Sequence, residues 1–284
     1  VALIPPAFLD SVTAIGFRDD QGQMGYGATG FLFAKLVRAG ETPEETLYRI
    51  YLVTNRHVFE DSNVAILRFN PQAGEPARVY DLPLIDSDGA ELWSRHPDPD
   101  VDVAAIAINV ALLREHGIQY GVFADDQHIM ALSDAQQHGI CEGNGVFVLG
   151  FPLGDPGTVR NYVVVRDGVV ARIRDAIAGA SSTFLIDASI FPGNSGGPVV
   201  TKPEFVAIEG TESYSKASLL GIVSAYVPYQ DVAISTQTNR PRITFEENSG
   251  LAVVVPVDRI VEAVDIANTR MTGGEAGGPH SLEA

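Results

Sequence analysis

Cysteine is all but missing from these 284 residues, with Cys141 the single one. That excludes an internal disulfide, an all-cysteine zinc site and an iron–sulfur cluster. Basic residues are scarce as well: 19 Lys and Arg stand against 36 Asp and Glu, a formal net charge of −17. So acidic a surface repels phosphate backbones, which sets aside nucleic acid and anionic membrane as partners. No apolar run approaches the roughly 18 residues a membrane-spanning helix needs, so no span is expected. The opening stretch Val1–Pro6 has neither an initiator Met nor a positively charged signal region. It reads as a trimmed start and leaves the compartment open, cytoplasmic or periplasmic.

Hydrophobic residues make up 45% and charged residues 19% of the chain, a globular profile. The length suits one large domain, or two sub-domains sharing a core. The 28 Gly and 17 Pro are spread along the chain, as in a protein of many turns between short strands. Apolar runs rich in Val, Ile, Phe and Tyr cover Ser11–Phe17, Gly30–Val37, Tyr48–Val53, Val64–Phe69, Val103–Val110, Gly145–Phe151, Asn161–Val170, Thr183–Ala188, Leu219–Tyr226 and Leu251–Val255. Bounded by Gly, Pro, Asn or Asp, they read as strands of a sandwich or barrel. After Pro256 the apolar residues Val257, Ile260, Val261, Val264 and Ala267 recur at three- and four-residue steps, which predicts an amphipathic helix to Met271. Short helical turns are expected at Ala111–His116 and around Ile129–His138. The organisation read from this pattern is all-β, with an N-terminal half over residues 1–144, a C-terminal half over 145–256, a helix over 257–271 and a flexible tail over 272–284.

Phe191-Pro192-Gly193-Asn194-Ser195-Gly196-Gly197-Pro198 is the most informative segment. A serine that attacks a carbonyl must be exposed on a sharp turn, with backbone N–H groups converging on the oxygen that becomes negative. Glycine permits both the turn and the close approach. The same segment also suits a tight glycine turn with an incidental serine. A base for Ser195 is offered by His57, where the apolar strand Tyr51-Leu52-Val53 ends in polar residues. A lone histidine is as readily structural. Of the others, His116, His128 and His138 read as surface, His280 lies in the tail, and His96 suits a turn-stabilising role. Asp98, Asp100 and Asp102 alternate before the run Val103–Ile108, and Asp102, abutting the strand, is the carboxylate best placed to orient an imidazole. Gly193-Asn194-Ser195-Gly196-Gly197 also matches the nucleophile elbow of α/β-hydrolases. That architecture needs its acid and then its histidine after the serine. Here the order is His, Asp, Ser, and the alternating βα pattern is missing, so the elbow is rejected.

Thr54-Asn55-Arg56-His57-Val58, Asp102-Val103-Ala104-Ala105-Ile106 and Gly193-Asn194-Ser195-Gly196-Gly197-Pro198 together resemble the chymotrypsin-type (trypsin-like) serine proteases, closest to the bacterial HtrA-like branch. Gly27-Ala28-Thr29-Gly30-Phe31-Leu32, Val146–Pro152 and Gly221-Ile222-Val223-Ser224 are supporting matches, so the resemblance covers about residues 10–265. It implies two six-stranded β-barrels with the active site in the cleft between them, and a C-terminal helix. His57, Asp102 and Ser195 would be catalytic, and the N–H groups of Gly193 and Ser195 would form the oxyanion hole. Ser224 would hydrogen-bond the buried carboxylate, and Ser224, Ala225 and Tyr226 would pair as an edge strand with an extended polypeptide substrate. No metal or cofactor is implied.

Departures from the family carry information too. Asn194 stands where the animal digestive enzymes have an Asp that captures a new N-terminus, so activation by such an ion pair is not expected. About 20 residues follow Val264, too few for the peptide-binding PDZ domain of HtrA-type proteases. Arg114–Cys141 matches those relatives poorly. Ser189 lies six residues before Ser195, where trypsin's pocket has a carboxylate, and Ile190 and Tyr226 are candidates to line or narrow the pocket. The expectation is a small or medium uncharged residue before the cleaved bond. The competing reading is a latent or inactive protease-fold module that binds peptides and needs a protein partner for activity. The sequence leaves the oligomeric state open.

Overall fold

Fifteen strands and six α-helices form among residues 3–42, 44–205, 213–272 and 279–283, the residues described by the computed structural model. The first half contributes β1 (Val12–Arg18), β2 (Met24–Arg38), β3 (Leu47–Thr54), β4 (Val64–Phe69), β5 (Arg78–Pro83), the short β6 (Ser94–Arg95), β7 (Ala104–Asn109) and the short β8 (Phe123–Ala124). They order as β7-β3-β2-β1-β4-β5, antiparallel throughout, with β6 added to β7 and β8 to β2. The second half contributes β9 (Gly145–Gly150), β10 (Val164–Arg172), β11 (Phe184–Asp187), β12 (Pro198–Thr201), β13 (Leu219–Ile234) and β14 (Pro241–Pro256), which close into a six-stranded barrel. The all-β, two-barrel expectation is therefore met.

Period-two alternation explains why the strands next to the cleft read as unbroken apolar runs: both of their faces are buried. In β3, Leu52 points into the first barrel, while Tyr51 and Val53 point into a layer shared with the second. In β7, Ile106 and Ile108 go inward, and Ala105 and Ala107 face the shared layer. Val146, Val148, Ile186, Val199 and Val254 fill the second barrel. The short helices α1 (Pro6–Asp10), α2 (Arg56–Phe59), α3 (Ala111–Glu115), α4 (Leu132–Gln137) and α5 (Arg174–Ile177) decorate the connections, with α3 and α4 falling where short turns were expected.

The closing helix α6 (Val257–Thr272) buries Val257, Ile260, Ala263, Val264 and Ala267 in the shared layer. Each fully buried Val or Ile contributes about 1.5–3 kcal/mol. Its polar face is tied down as well. Glu262 Oε2 lies 2.7 Å from His96 Nε2, and Arg270 donates to the carbonyls of Trp93 and Glu91. His96 Nδ1 accepts the Asp98 N–H at 3.1 Å, so this buried histidine braces the turn that leads to Asp102.

Three expectations need correction. Residues 273–278 of the expected flexible tail lie outside the described residues, but the segment beyond them is docked. β15 (His280–Ser281) pairs in parallel with β7, Glu283 exchanges both backbone hydrogen bonds with Asp81 of β5, and Leu282 is 4% exposed in the first barrel's core. This segment bridges the two outermost strands, β7 and β5, which leaves the six-stranded first barrel nearly closed. Second, His116 and His128 are half-buried and not surface residues: the Tyr80 hydroxyl engages His116 Nδ1, and His128 Nδ1 accepts the Ala124 N–H. Third, β13 and β14 run well past Tyr226 and begin well before Leu251, forming a two-stranded ribbon that stands clear of the barrel.

Candidate active site

Three polar segments meet at the cleft. β3 ends at Thr54, and the chain turns into α2, which sets His57 in its first turn. The bend Asp98–Val103 delivers Asp102 beside it, and the Asn55 amide, donating to the Asp102 carbonyl at 2.8 Å, fastens the two segments. The Asp102 carboxylate is fully engaged. Oδ1 accepts the His57 backbone N–H at 3.1 Å, while Oδ2 lies 2.8 Å from His57 Nδ1 and accepts the Ser224 hydroxyl at 2.9 Å. The Asp102 side chain is 19% exposed and that of His57 49%, so the acid is sheltered and the imidazole opens on the cleft.

The electrostatics follow from these contacts. Burial alone would raise the Asp102 pKa, but the hydrogen bonds and charge of His57, with help from Ser224, outweigh it and hold the carboxyl below its usual value. The hydrogen bond that His57 donates to Asp102 raises the His57 pKa, against a smaller opposing effect of burial. With a carboxylate accepting at Nδ1, the neutral imidazole carries its proton there and leaves Nε2 as a free lone pair.

Ser195 lies in the loop between β11 and β12, half-buried. The Gly196 N–H donates to the Val223 carbonyl at 3.0 Å, and the Val223 N–H donates to Gly197 at 2.9 Å. Val223 is followed by Ser224, whose hydroxyl reaches Asp102, so one strand ties the serine loop to the acid. A second tie runs through the first barrel: the Thr29 N–H donates to the Ser195 carbonyl at 2.9 Å, and the Thr54 hydroxyl donates to the Thr29 carbonyl at 2.8 Å. Gly196 must be glycine. Its φ is +84°, and a Cβ there would stand 2.0 Å from the Thr29 carbonyl oxygen. Among the described residues no hydrogen bond joins Ser195 Oγ to His57 Nε2, a contact that in resting enzymes often tightens only with substrate.

The turn before Ser195 is pinned by its carbonyls. Pro192 O accepts the Leu153 N–H at 2.6 Å, and Asn194 O accepts the Gly197 N–H at 2.8 Å. In a trans peptide the N–H points opposite to the C=O, so the Gly193 and Ser195 N–H groups are turned away from these anchors. Among the described residues neither has an acceptor. Gly193 adopts φ +96°, and a Cβ there would lie 2.3 Å from the Phe151 carbonyl oxygen.

Of the expected substrate-contacting residues, Ser189 and Ala225 are exposed and Tyr226 is half-buried, whereas Ile190 is 2% exposed within the second barrel's core. Sequence reasoning passed over several neighbours. The Asn248 amide holds the Ile190 carbonyl, the Arg166 guanidinium lies 5.0 Å from the Phe191 ring centre, and Glu246 accepts the Tyr226 hydroxyl at 2.7 Å. Ala225 and Tyr226 pair with Val253 and Ala252 of β14 on one side, with Ser224 at a bulge, and β12 covers the other side only as far as Ile222. Farther along, Pro228 has no N–H to give, and Asp231 Oδ1 takes the Val232 N–H at 2.8 Å. These features blunt the edge and leave a short strand open for pairing. Among the described residues no group of three or more His, Cys, Asp or Glu is arranged to hold a metal ion, and no helix is long and apolar enough to cross a membrane.

A family profile described as "Trypsin-like peptidase domain" matches residues 28–208. The chain belongs to this trypsin-like peptidase family. Among curated proteins, it is 28% identical over 150 residues to a "Probable periplasmic serine endoprotease DegP-like" of Chlamydia pneumoniae. The match takes in 53% of this chain and 24% of the relative, so this peptidase domain spans about a quarter of the relative's length. Among solved structures it is similar to the apo MamO protease domain from Magnetospirillum magneticum, at a TM-score of 0.46 and 14% identity over 90% of this chain and 96% of that one.

Proposed function

We propose that the chain is a serine endopeptidase that cleaves polypeptides through an acyl-enzyme, with Ser195 as nucleophile, His57 as general base and acid, and Asp102 as the group that orients His57. The observation that carries this reading is the Asp102 carboxylate, which holds His57 Nδ1 at 2.8 Å and is itself braced by Ser224. His57 Nε2 takes the Ser195 proton as Oγ attacks the peptide carbonyl. The Gly193 and Ser195 N–H groups, which have no acceptor among the described residues, receive the oxyanion. His57 then protonates the leaving amine, and water releases the acyl group by the reverse sequence. The divided fold, residues 1–144 and 145–256, supplies acid and base from one half and nucleophile from the other.

The substrate pairs with Ser224–Tyr226 as an added strand. Ser189 at the pocket position, with no carboxylate, favours a small or medium uncharged residue before the cleaved bond. The relative's description as periplasmic favours the periplasm over the cytoplasm. A fluorophosphonate probe tests the core of the reading: it labels Ser195, and the label disappears in His57→Ala and Ser195→Ala. A folded protein that stays unlabelled with and without candidate partners supports the peptide-binding module and rejects the endopeptidase.

A further inference from the structure

We propose that Thr29 is a positioning residue for the oxyanion hole, the first barrel's means of holding two N–H donors of the second in their working orientation. The proposal rests on the endopeptidase reading and adds to it a residue outside the triad. Thr29 is fully buried in β2. Its N–H donates to the Ser195 carbonyl at 2.9 Å, and its hydroxyl donates to the Gly193 carbonyl at 2.6 Å while accepting the Phe151 N–H at 3.1 Å. Both donors and the hydroxyl lone pair therefore serve loops of the other half of the chain.

The consequence lies in the peptide planes. Pro192, Gly193, Asn194 and Ser195 present four consecutive carbonyls, and each is met by a donor: Leu153 N–H, Thr29 hydroxyl, Gly197 N–H and Thr29 N–H in turn. With these carbonyls fixed, the planes carrying the Gly193 and Ser195 N–H groups lose their freedom to rotate. Two more bonds brace the loop at Phe191, whose carbonyl accepts the Asn194 N–H at 3.0 Å and whose N–H donates to Asn194 Oδ1 at 3.2 Å. Asn194 is buried, yet its Nδ2 has no partner among the described residues. Gly193 is the residue type most able to turn over. Replacing the hydroxyl with a methyl would strand the Gly193 carbonyl and the Phe151 N–H in a buried place, a penalty the loop relieves by rotating the carbonyl toward solvent. That carbonyl shares its plane with the Asn194 N–H and lies between the planes of the two donors, so its rotation breaks the Asn194 N–H bond to the Phe191 carbonyl and frees both flanking planes to turn.

Thr29→Val, Thr29→Ser and, as a control, Thr13→Val test this. Thr13 is an equally buried threonine of β1, whose hydroxyl donates to the Arg68 carbonyl away from the site. In Thr29→Val, kcat on a peptide substrate falls by about tenfold to a hundredfold, toward the loss of one oxyanion donor, with KM little changed. Thr29→Ser restores kcat, and Thr13→Val leaves it at the wild-type level. A peptidyl trifluoromethyl ketone reports on the hole directly: by fluorine NMR its Ser195 adduct ionises at higher pH in Thr29→Val than in wild type. Should the valine variant fail to fold, Thr29→Cys, with its weak thiol donor, gives the same split at smaller amplitude. An active wild type whose Thr29→Val matches it in kcat and adduct ionisation overturns the positioning role alone, as does an equal kcat loss in Thr13→Val. A wild type that neither turns over peptide nor forms the adduct overturns the endopeptidase reading and this role together.

Discussion

Asp102→Asn keeps the shape of the acid and changes what it can accept, and the contacts decide how the new amide sits. The His57 backbone N–H, 3.1 Å from Oδ1, is a donor that cannot be reassigned. The partners of Oδ2, His57 Nδ1 at 2.8 Å and the Ser224 hydroxyl at 2.9 Å, can both exchange donor for acceptor. The amide therefore places its oxygen on the backbone N–H and its NH2 on the imidazole. Nδ1 becomes the acceptor, the ring proton moves to Nε2, and His57 can no longer take the proton of Ser195. The expected loss is about ten-thousand-fold in kcat, or about 5.4 kcal/mol at 1.36 kcal/mol per tenfold. Steady-state kinetics on a peptide substrate near neutral pH measures it, with thermal unfolding to show the fold intact and nitrogen-15 NMR of His57 to show the exchanged tautomer. A variant that keeps a tenth or more of wild-type kcat would refute the orienting role of Asp102.

Three further outcomes can be measured. Because Asp102 raises the His57 pKa, the acid limb of kcat/KM is centred above the ordinary histidine value of about 6.5 and moves down in Asp102→Ala, in a pH–rate series. In the same pair, His57 stabilises the fold fully below its unfolded pKa and less as pH rises through its folded one. Asp102 stabilises above its unfolded pKa, and this is lost as pH falls through its depressed folded one, so chemical denaturation finds the pair most effective between the two. Leu282→Ala, at a position 4% exposed in the first barrel's core, costs about 2–5 kcal/mol of stability by denaturant titration, whereas a truly flexible tail would show no change.

Legibility of the sequence followed the core. β3, β4, β7 and β9 were marked by apolar runs because their faces are buried. The outer parts of β13 and β14 were not, because residues 229–234 and 241–249 are largely exposed and have no buried face to impose a period. β15 was invisible for a different reason: apart from Leu282 it is held by backbone hydrogen bonds, which carry no residue signature. At the site, His57, Asp102, Ser195 and Ser224 were readable as residue types in order. Thr29 and Asn248 were not, since each acts on carbonyls that only the folded chain brings near. A threonine inside the apolar stretch Ala28–Phe33 was the one available sign of Thr29.

The seam of the first barrel has a consequence for synthesis. Its last rungs come from His280, Ser281 and Glu283, roughly two hundred positions downstream of the strands they join. On the ribosome, the half made first must wait, incomplete at one side, until the half made second has emerged. Closing the seam is thus a very long-range event, with the loop entropy such a span entails, and a stalled or shortened translation product would present an open β-edge ready to pair with a neighbouring chain.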